Sequence, residues 1–196
     1  MRTQLENQLL SIVTEALRKL AVQARSSAYA LSFFIDPEMQ DGPVLCISYN
    51  TEENFAEMKT RTSYNEARWN FAFWLQEPSI QISSDSNKSY SECLANWIDQ
   101  YRISFSGACD DLYSAESEGN DFDLFLEQKE KLKNDYFRLC SQVAAELHSG
   151  QSVERFFGKK IPIIIHDLEY SPESLSATKS GNEGVLIDDF LRYHSQ

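Results

Sequence analysis

A histidine and two carboxylates follow the most apolar run of the chain, and these are residue types that could do chemistry. The segment "IPIIIHDLEY" (161–170) passes from three consecutive isoleucines into His166, Asp167 and Glu169. Imidazole and carboxylate groups bind divalent metals and act as acids and bases. Neighbouring side chains of a strand point to opposite faces, so His166 and Asp167 cannot reach one ion while the strand lasts. Asp167 and Glu169 share a face and are the better ligand pair.

A structural interpretation of the same segment is favoured, in which a core strand leaves the interior at His166 and enters solvent. Phosphohydrolases with a His-Asp doublet need a further histidine upstream. His148 is the only one there, and a place at the end of a predicted helix already accounts for it through the helix dipole. With His194 the chain has three scattered histidines, too few to indicate a metal site. We therefore predict no cofactor, and a metal-assisted hydrolase using Asp167 and Glu169 is the alternative function.

Other catalytic motifs are absent from the sequence. The four cysteines form no Cys-x-x-Cys pair, and Cys46 and Cys140 are predicted to be buried, inert thiols. The segment around Gly158 and Lys159 lacks the further glycine and the hydroxyl residue of a phosphate-binding loop. Neither GxGxxG nor GxSxG occurs. We accordingly assign no catalytic residue.

The segment "DDLYSAESEGNDFD" (110–123) is the most biased in composition. It contains six acids and no base: Asp110, Asp111, Glu116, Glu118, Asp121 and Asp123. A calcium-binding hand that began at Asp121 would need a different residue at Phe125 and a glycine at Leu126. Two interpretations stay open. The segment is a solvated loop before a helix whose first turn favours acids, or it is a docking surface for a basic partner.

The overall charge limits the classes of partner that the protein can bind. The chain has 18 Lys and Arg against 30 Asp and Glu, which makes a formal net charge of −12. Such a surface repels nucleic acid and anionic membranes, and it favours a cationic protein partner. The start of the chain has no apolar stretch of a signal peptide, and no run approaches the roughly 20 residues of a membrane span. The expected compartment is the cytoplasm; the oligomeric state is not indicated.

An aromatic cluster in "ARWNFAFWLQ" (67–76) has two interpretations. Trp69, Phe71, Phe73 and Trp74 follow Arg68 closely. The rings either form core against the predicted hairpin or line a groove for a ligand or peptide, because Trp and Arg are frequent at interface hot spots. Arg68, Trp69 and Trp74 are therefore candidate partner contacts.

Hydrophobic periodicity predicts a single α+β domain over residues 1–196. Strands are predicted at 28–35, 44–50 and 161–167, with 67–73 as a further, ambiguous candidate. Helices are predicted at 3–24, 51–59, 90–104, 121–148, 153–157 and 183–194. Asn50 is the expected N-cap of the second helix, and 78–89 is expected to be a polar connector. The expected fold is a small, largely antiparallel sheet with helices packed mainly on one side.

Several segments together resemble a known family. They are "YALSFFI…LCISYNTEENF", "RWNFAFW", "FFGKKIPIIIHDLEY" and "NEGVLIDDFL". In this order they resemble a bacterial family of small proteins known only as a domain of unknown function. Its members tend to occur near polymorphic toxin systems and cell-wall-regulator-like immunity proteins. The resemblance implies an intracellular protein that binds and neutralises a partner, and it lends no catalytic residue.

These observations predict a binding protein rather than an enzyme. The expected function is that of an immunity-type protein whose acidic surface, centred on 110–123, neutralises a basic partner. Opposite charge would steer such an association.

Overall fold

A four-stranded mixed sheet organises the chain. The computed structural model describes residues 2–24, 27–36, 42–77, 79–101 and 120–195. The strands are β1 (Ala28–Asp36), β2 (Val44–Thr51), β3 (Ile80–Ile82) and β4 (Ile163–His166). Their spatial order is β3-β2-β1-β4. The β1–β2 hairpin and the β2–β3 pair are antiparallel, while β1 and β4 are parallel. The predicted α+β class and the three main strands are thus confirmed.

The prediction of a possible strand at 67–73 was wrong. A helix, α3, covers Tyr64–Trp69, and a short 3₁₀ turn follows at Phe71–Phe73. Ser63 and Glu66 form a capping box that starts α3. These local hydrogen bonds outweigh the alternation of aromatic residues that had favoured a strand. The fourth strand is instead β3, within the segment predicted to be a connector.

The remaining helices, apart from α7, lie close to the predicted segments. They are α1 (Gln4–Ala24), α2 (Glu52–Met58), α4 (Lys88–Ile98), α5 (Asn120–Ser149), α6 (Ser152–Phe157), α7 (Pro172–Gly181) and α8 (Gly184–His194). A 3₁₀ turn at Asp99–Tyr101 extends α4. The N-cap of α2 is Thr51 rather than Asn50, since the Thr51 hydroxyl accepts from the Asn54 N–H at 3.2 Å. Helix α7 was not predicted. Among the described residues, no helix is long and apolar enough to cross a membrane.

The two faces of the sheet carry separate hydrophobic clusters. We call the face with Leu31, Phe33 and Ile165 the first face; it packs against the longer helices α1, α4 and α5, and α6. We call the face with Ser32 and His166 the second face. The second face lies under α3, α8 and part of α2, whose apolar residues form the smaller cluster. Both faces of the sheet are therefore covered, and the polar side chains of Ser32 and His166 are buried on the second face.

Helix α7 closes the outer edge of β4. The Thr178 hydroxyl accepts from the Ile165 N–H and donates to the Ile165 C=O, both at 2.8 Å. The Asn182 amide does the same for Ile163, at 2.8 and 2.7 Å. Four helical residues rise about 6 Å and two strand residues about 6.6 Å, so the two side chains match alternate residues of the strand. The edge is thereby protected from pairing with another strand.

Candidate functional site

His166 is fully buried, which corrects the expectation that the strand enters solvent at this residue. Its exposed fraction is 0%, and so is that of Ser32 on the neighbouring strand. In the parallel register Phe34 lies opposite His166 and Ser32 lies opposite Ile164. Ser32 and His166 are therefore diagonal neighbours on the second face. The Ser32 Oγ lies 2.8 Å from Nε2 of His166.

The hydrogen bonds define the tautomer of His166. Its Nδ1 lies 3.0 Å from the backbone oxygen of Asp167. A carbonyl oxygen only accepts, so Nδ1 carries the proton and Nε2 is the acceptor. The Ser32 hydroxyl therefore donates to Nε2. This is the orientation of a nucleophile and its base, but neither side chain has exposed surface on which a substrate could lie. The pair acts as a cross-link between β1 and β4.

Aromatic rings enclose the imidazole of His166. Phe71 lies 4.6 Å away between ring centroids, Phe34 lies 5.6 Å away, and Tyr170 stacks at 5.1 Å. Tyr170 has a left-handed backbone, with φ of 53°. Its hydroxyl accepts from the Phe71 N–H at 2.8 Å and donates to the Trp69 C=O at 3.2 Å. One tyrosine thus joins the end of β4 to the turn that covers His166.

The histidines are held neutral by burial. Burial lowers the pKa of His166 to about 4. Burial also lowers the pKa of His194, whose ring lies 4.2 Å from that of Tyr170. The pKa of His148 is lowered for the same reason, although its bond to Asn182 opposes the shift. His148 lies in the last turn of α5 as predicted. Its lowered pKa means that it carries little charge at neutral pH to interact with the helix dipole.

The predicted metal-ligand pair does not converge with His166. The Asp167 carboxylate accepts from the Ser171 N–H at 2.9 Å. Burial acts to raise the pKa of Asp167, but the bonds from Ser171 outweigh it and hold that pKa below its ordinary value. Glu169 is exposed to solvent. Within the described part of the chain, no three His, Cys, Asp or Glu side chains are grouped so that they could hold a metal ion.

The tryptophans of the aromatic cluster belong to the core of the second face. Trp69 is 6% exposed and Trp74 is 4% exposed. The Trp74 indole donates to the Arg68 C=O at 3.0 Å. The Arg68 guanidinium lies 3.6 Å from the centre of the Tyr29 ring and pairs with Glu52 at 2.7 Å. Of the three predicted partner contacts, Arg68 therefore offers a partner more surface than the two buried rings.

The acidic segment is only partly described. Asp110, Asp111, Glu116 and Glu118 lie outside the described residues. Asp121 lies in the first turn of α5. Asp123 is exposed on α5. The predicted helix start near 121 is confirmed.

Of the two thiols predicted to be structural, Cys140 is buried and Cys46 partly so. Burial raises the pKa of both.

Sequence reasoning also missed the surface depressions of the described residues, among them two that involve the helices discussed above. A cleft of about 420 Å³ lies between α5 and α7. Its lining is Asn134, Asp135, Phe137, Arg138, Ser141, Pro172, Glu173, Ser176, Ala177 and Ser180. A second groove, of about 350 Å³, lies between α3 and α8 and includes two arginines and two aspartates, so its charges balance. The α5–α7 cleft arises from a contact between helices that no local pattern reveals.

The fold and these sites were compared with known proteins. Neither family models, nor curated proteins, nor solved structures yield a match to this chain.

Proposed function

We propose that the protein is a non-catalytic binding protein of the immunity type, which neutralises a basic protein partner through an acidic surface. The observation that carries the proposal is the charge distribution. The net charge is −12, and six of the acids lie within the fourteen residues 110–123 with no base among them. A cationic surface is the natural complement of such a segment.

Tyr101 and Asn120, the described residues that flank 102–119, are both placed at α5. Before the segment, the Tyr101 hydroxyl donates to the Asp135 carboxylate at 2.6 Å. The ammonium of Lys131 lies 5.0 Å from the centre of the Tyr101 ring. Asn120, which lies within the acidic segment, is the first residue of α5. Tyr101 therefore contacts α5 near residue 135, about 22 Å from the start of that helix at 1.5 Å per residue.

The charges along the same part of α5 balance, with Asp123, Glu127 and Glu130 against Lys129, Lys131 and Lys133. Asp123, Glu127 and Glu130 are exposed there. Glu130 pairs with Lys133 at 3.0 Å. The negative field of the proposed surface therefore originates from the acids at 110–121, a stretch without a base. That field would accelerate encounter with a basic partner, and salt would screen the effect.

The test begins with capture of a partner by the immobilised protein from the source cell at low salt. The recovered protein should be basic, and raised salt should release it. Its association rate is then measured with the wild type and with the variant D110N/D111N/E116Q/E118Q. We expect the variant to associate about tenfold more slowly or worse, because steering by charge is lost.

The matched control variant removes the same number of charges from elsewhere on the surface. E57Q/D85N/E154Q/E169Q changes four exposed carboxylates outside the acidic segment. It should slow association much less. Equal slowing by both variants would show that only total charge matters, and would contradict an interface at 110–123. Failure to recover any basic protein at low salt would overturn the proposal itself.

A further inference from the structure

We propose that the α5–α7 cleft is the pocket for an arginine side chain of the basic partner. This inference rests on the proposed function, since it names an anchoring point for the same class of partner. The cleft adjoins Tyr101, the last described residue before the undescribed stretch 102–119. Asp135 lines the cleft and also accepts the hydrogen bond from Tyr101.

An unsatisfied acceptor lies in the wall of the cleft. The Oδ1 atom of Asn134 is buried and has no hydrogen-bond donor among the described residues. Buried polar atoms in native proteins are almost always paired, because leaving one unpaired is costly. A donor that enters from the cleft would satisfy this oxygen.

The charges of the cleft leave one carboxylate uncompensated. Asp135 pairs with Arg138, one turn further along α5. Glu173, on the opposite wall, is exposed and makes no hydrogen bond or ion pair with any described residue. Glu173 lies in the first turn of α7. The lining therefore carries a net negative charge and favours a cation.

The shape of the cleft suits a side chain with an apolar stem and a broad polar head. Ala177 and Pro172 provide apolar wall, while Ser176 provides a hydroxyl. Small residues let α7 approach α5 closely; a Cβ added to Gly181 would lie only 2.9 Å from the Cβ of Ala144. Arginine combines an aliphatic stem with five N–H donors in one plane. Those donors can hydrogen-bond to a carboxylate and an amide oxygen at the same time, whereas lysine has a single compact ammonium group.

The experiment follows the backbone amides of ¹⁵N-labelled protein by NMR while acetyl-arginine amide is added. We expect saturable shifts confined to residues 134–141 and 172–180. Acetyl-lysine amide should bind more weakly, and the neutral isostere acetyl-citrulline amide should not produce these shifts. Shifts elsewhere, or equal shifts with the citrulline probe, would overturn the inference.

Two variants make the test specific. E173Q removes the uncompensated charge from an exposed position and should weaken binding of the arginine probe by about tenfold. E154Q replaces an exposed carboxylate on α6, away from the cleft. This variant should leave the affinity for the arginine probe unchanged. An unaffected E173Q would exclude the cleft as the arginine pocket.

The same variants separate this inference from the proposed function. If the acidic-segment variant associates slowly with the captured partner while E173Q binds it normally, the cleft inference fails and the proposed function stands. If the arginine probe binds the cleft but no basic partner is recovered, the proposed function fails, and the cleft is an arginine site without that role.

Discussion

Ser32 and His166 satisfy each other inside the protein, with the Ser32 hydroxyl 2.8 Å from Nε2 of His166 and neither side chain exposed. One residue comes from β1 and the other from β4, 134 positions apart in the chain. Both point to the second face, where the surrounding side chains are mostly aromatic. A polar pair in such surroundings stabilises the fold only while both partners are present.

The first prediction is a mutational cycle on this pair. S32A leaves Nε2 of His166 without a donor and should lower the free energy of unfolding by about 1–3 kcal/mol. The double variant S32A/H166F replaces both polar groups by apolar ones. Its loss in the free energy of unfolding should be smaller than the sum of the losses in S32A and H166F. Urea unfolding measures all three. S89A, at an exposed serine of α4, is the control and should change stability by less than about 0.5 kcal/mol. Strict additivity would contradict a coupled pair.

The second prediction concerns acid. The pKa of His166 is about 4 in the folded protein against 6.5 for a free histidine. Between these values the unfolded chain binds more protons, so stability is complete above pH 6.5 and falls as the pH drops towards 4. At 1.36 kcal/mol per pH unit, protonation of His166 lowers the free energy of unfolding by about 3 kcal/mol over this range. His148 and His194, whose pKa values are also lowered, add to it.

Urea unfolding across this pH range tests the acid prediction. The stability of H166F should fall less steeply between pH 6.5 and 4 than that of the wild type. Parallel curves would show that His166 is not the responsible group. NMR titration of the histidine ring protons supplies a direct reading, in which the His166 signal should move only near pH 4.

The parts of the fold that the sequence predicted correctly are those with strong local signals. The apolar stripes of α1 and α5 and the β1–β2 hairpin depend on periodicity within one segment, and all three are present. Helix α7 could have been found, because Ser171 followed by Pro172 is a helix-start signal. The helix was not predicted because its amphipathic pattern is weak. The strand prediction for residues 67–73 was wrong because the alternating aromatic pattern was given more weight than the capping box at Ser63.

The surroundings of His166 could not be predicted from local sequence. A strand that ends in His-Asp-Leu-Glu is typical of a chain that enters solvent. What buries His166 is Phe71 from the 3₁₀ turn and Tyr170 from beyond the strand, the latter held by bonds to the backbone of Phe71 and Trp69. These are long-range contacts without a sequence pattern. The α5–α7 cleft escaped prediction for the same reason.

The third prediction tests the closure of the sheet edge by α7. T178V keeps the shape of the side chain but removes the hydroxyl that bonds both backbone groups of Ile165. We expect a loss of about 1–3 kcal/mol in the free energy of unfolding. The loss should be accompanied by faster amide exchange at Ile165 and more aggregation, because an open strand edge pairs with other chains. T178S keeps the hydroxyl and should retain most of the stability. Equal losses in T178V and T178S would indicate packing rather than edge closure.

The fourth prediction is a stabilising substitution at the junction of α5 and α6. Gln151 is exposed, makes no capping bond through its side chain and has φ of 56°. A side chain in the left-handed region costs about 1–2 kcal/mol, and glycine avoids this at a smaller entropic cost. Q151G should therefore raise the free energy of unfolding by about 0.5–1 kcal/mol and Tm by roughly 2 °C. Calorimetry measures both, with Q151A as the control, since alanine keeps the Cβ and should bring no gain. A stabilised Q151A, or a destabilised Q151G, would show that the backbone at residue 151 is not strained.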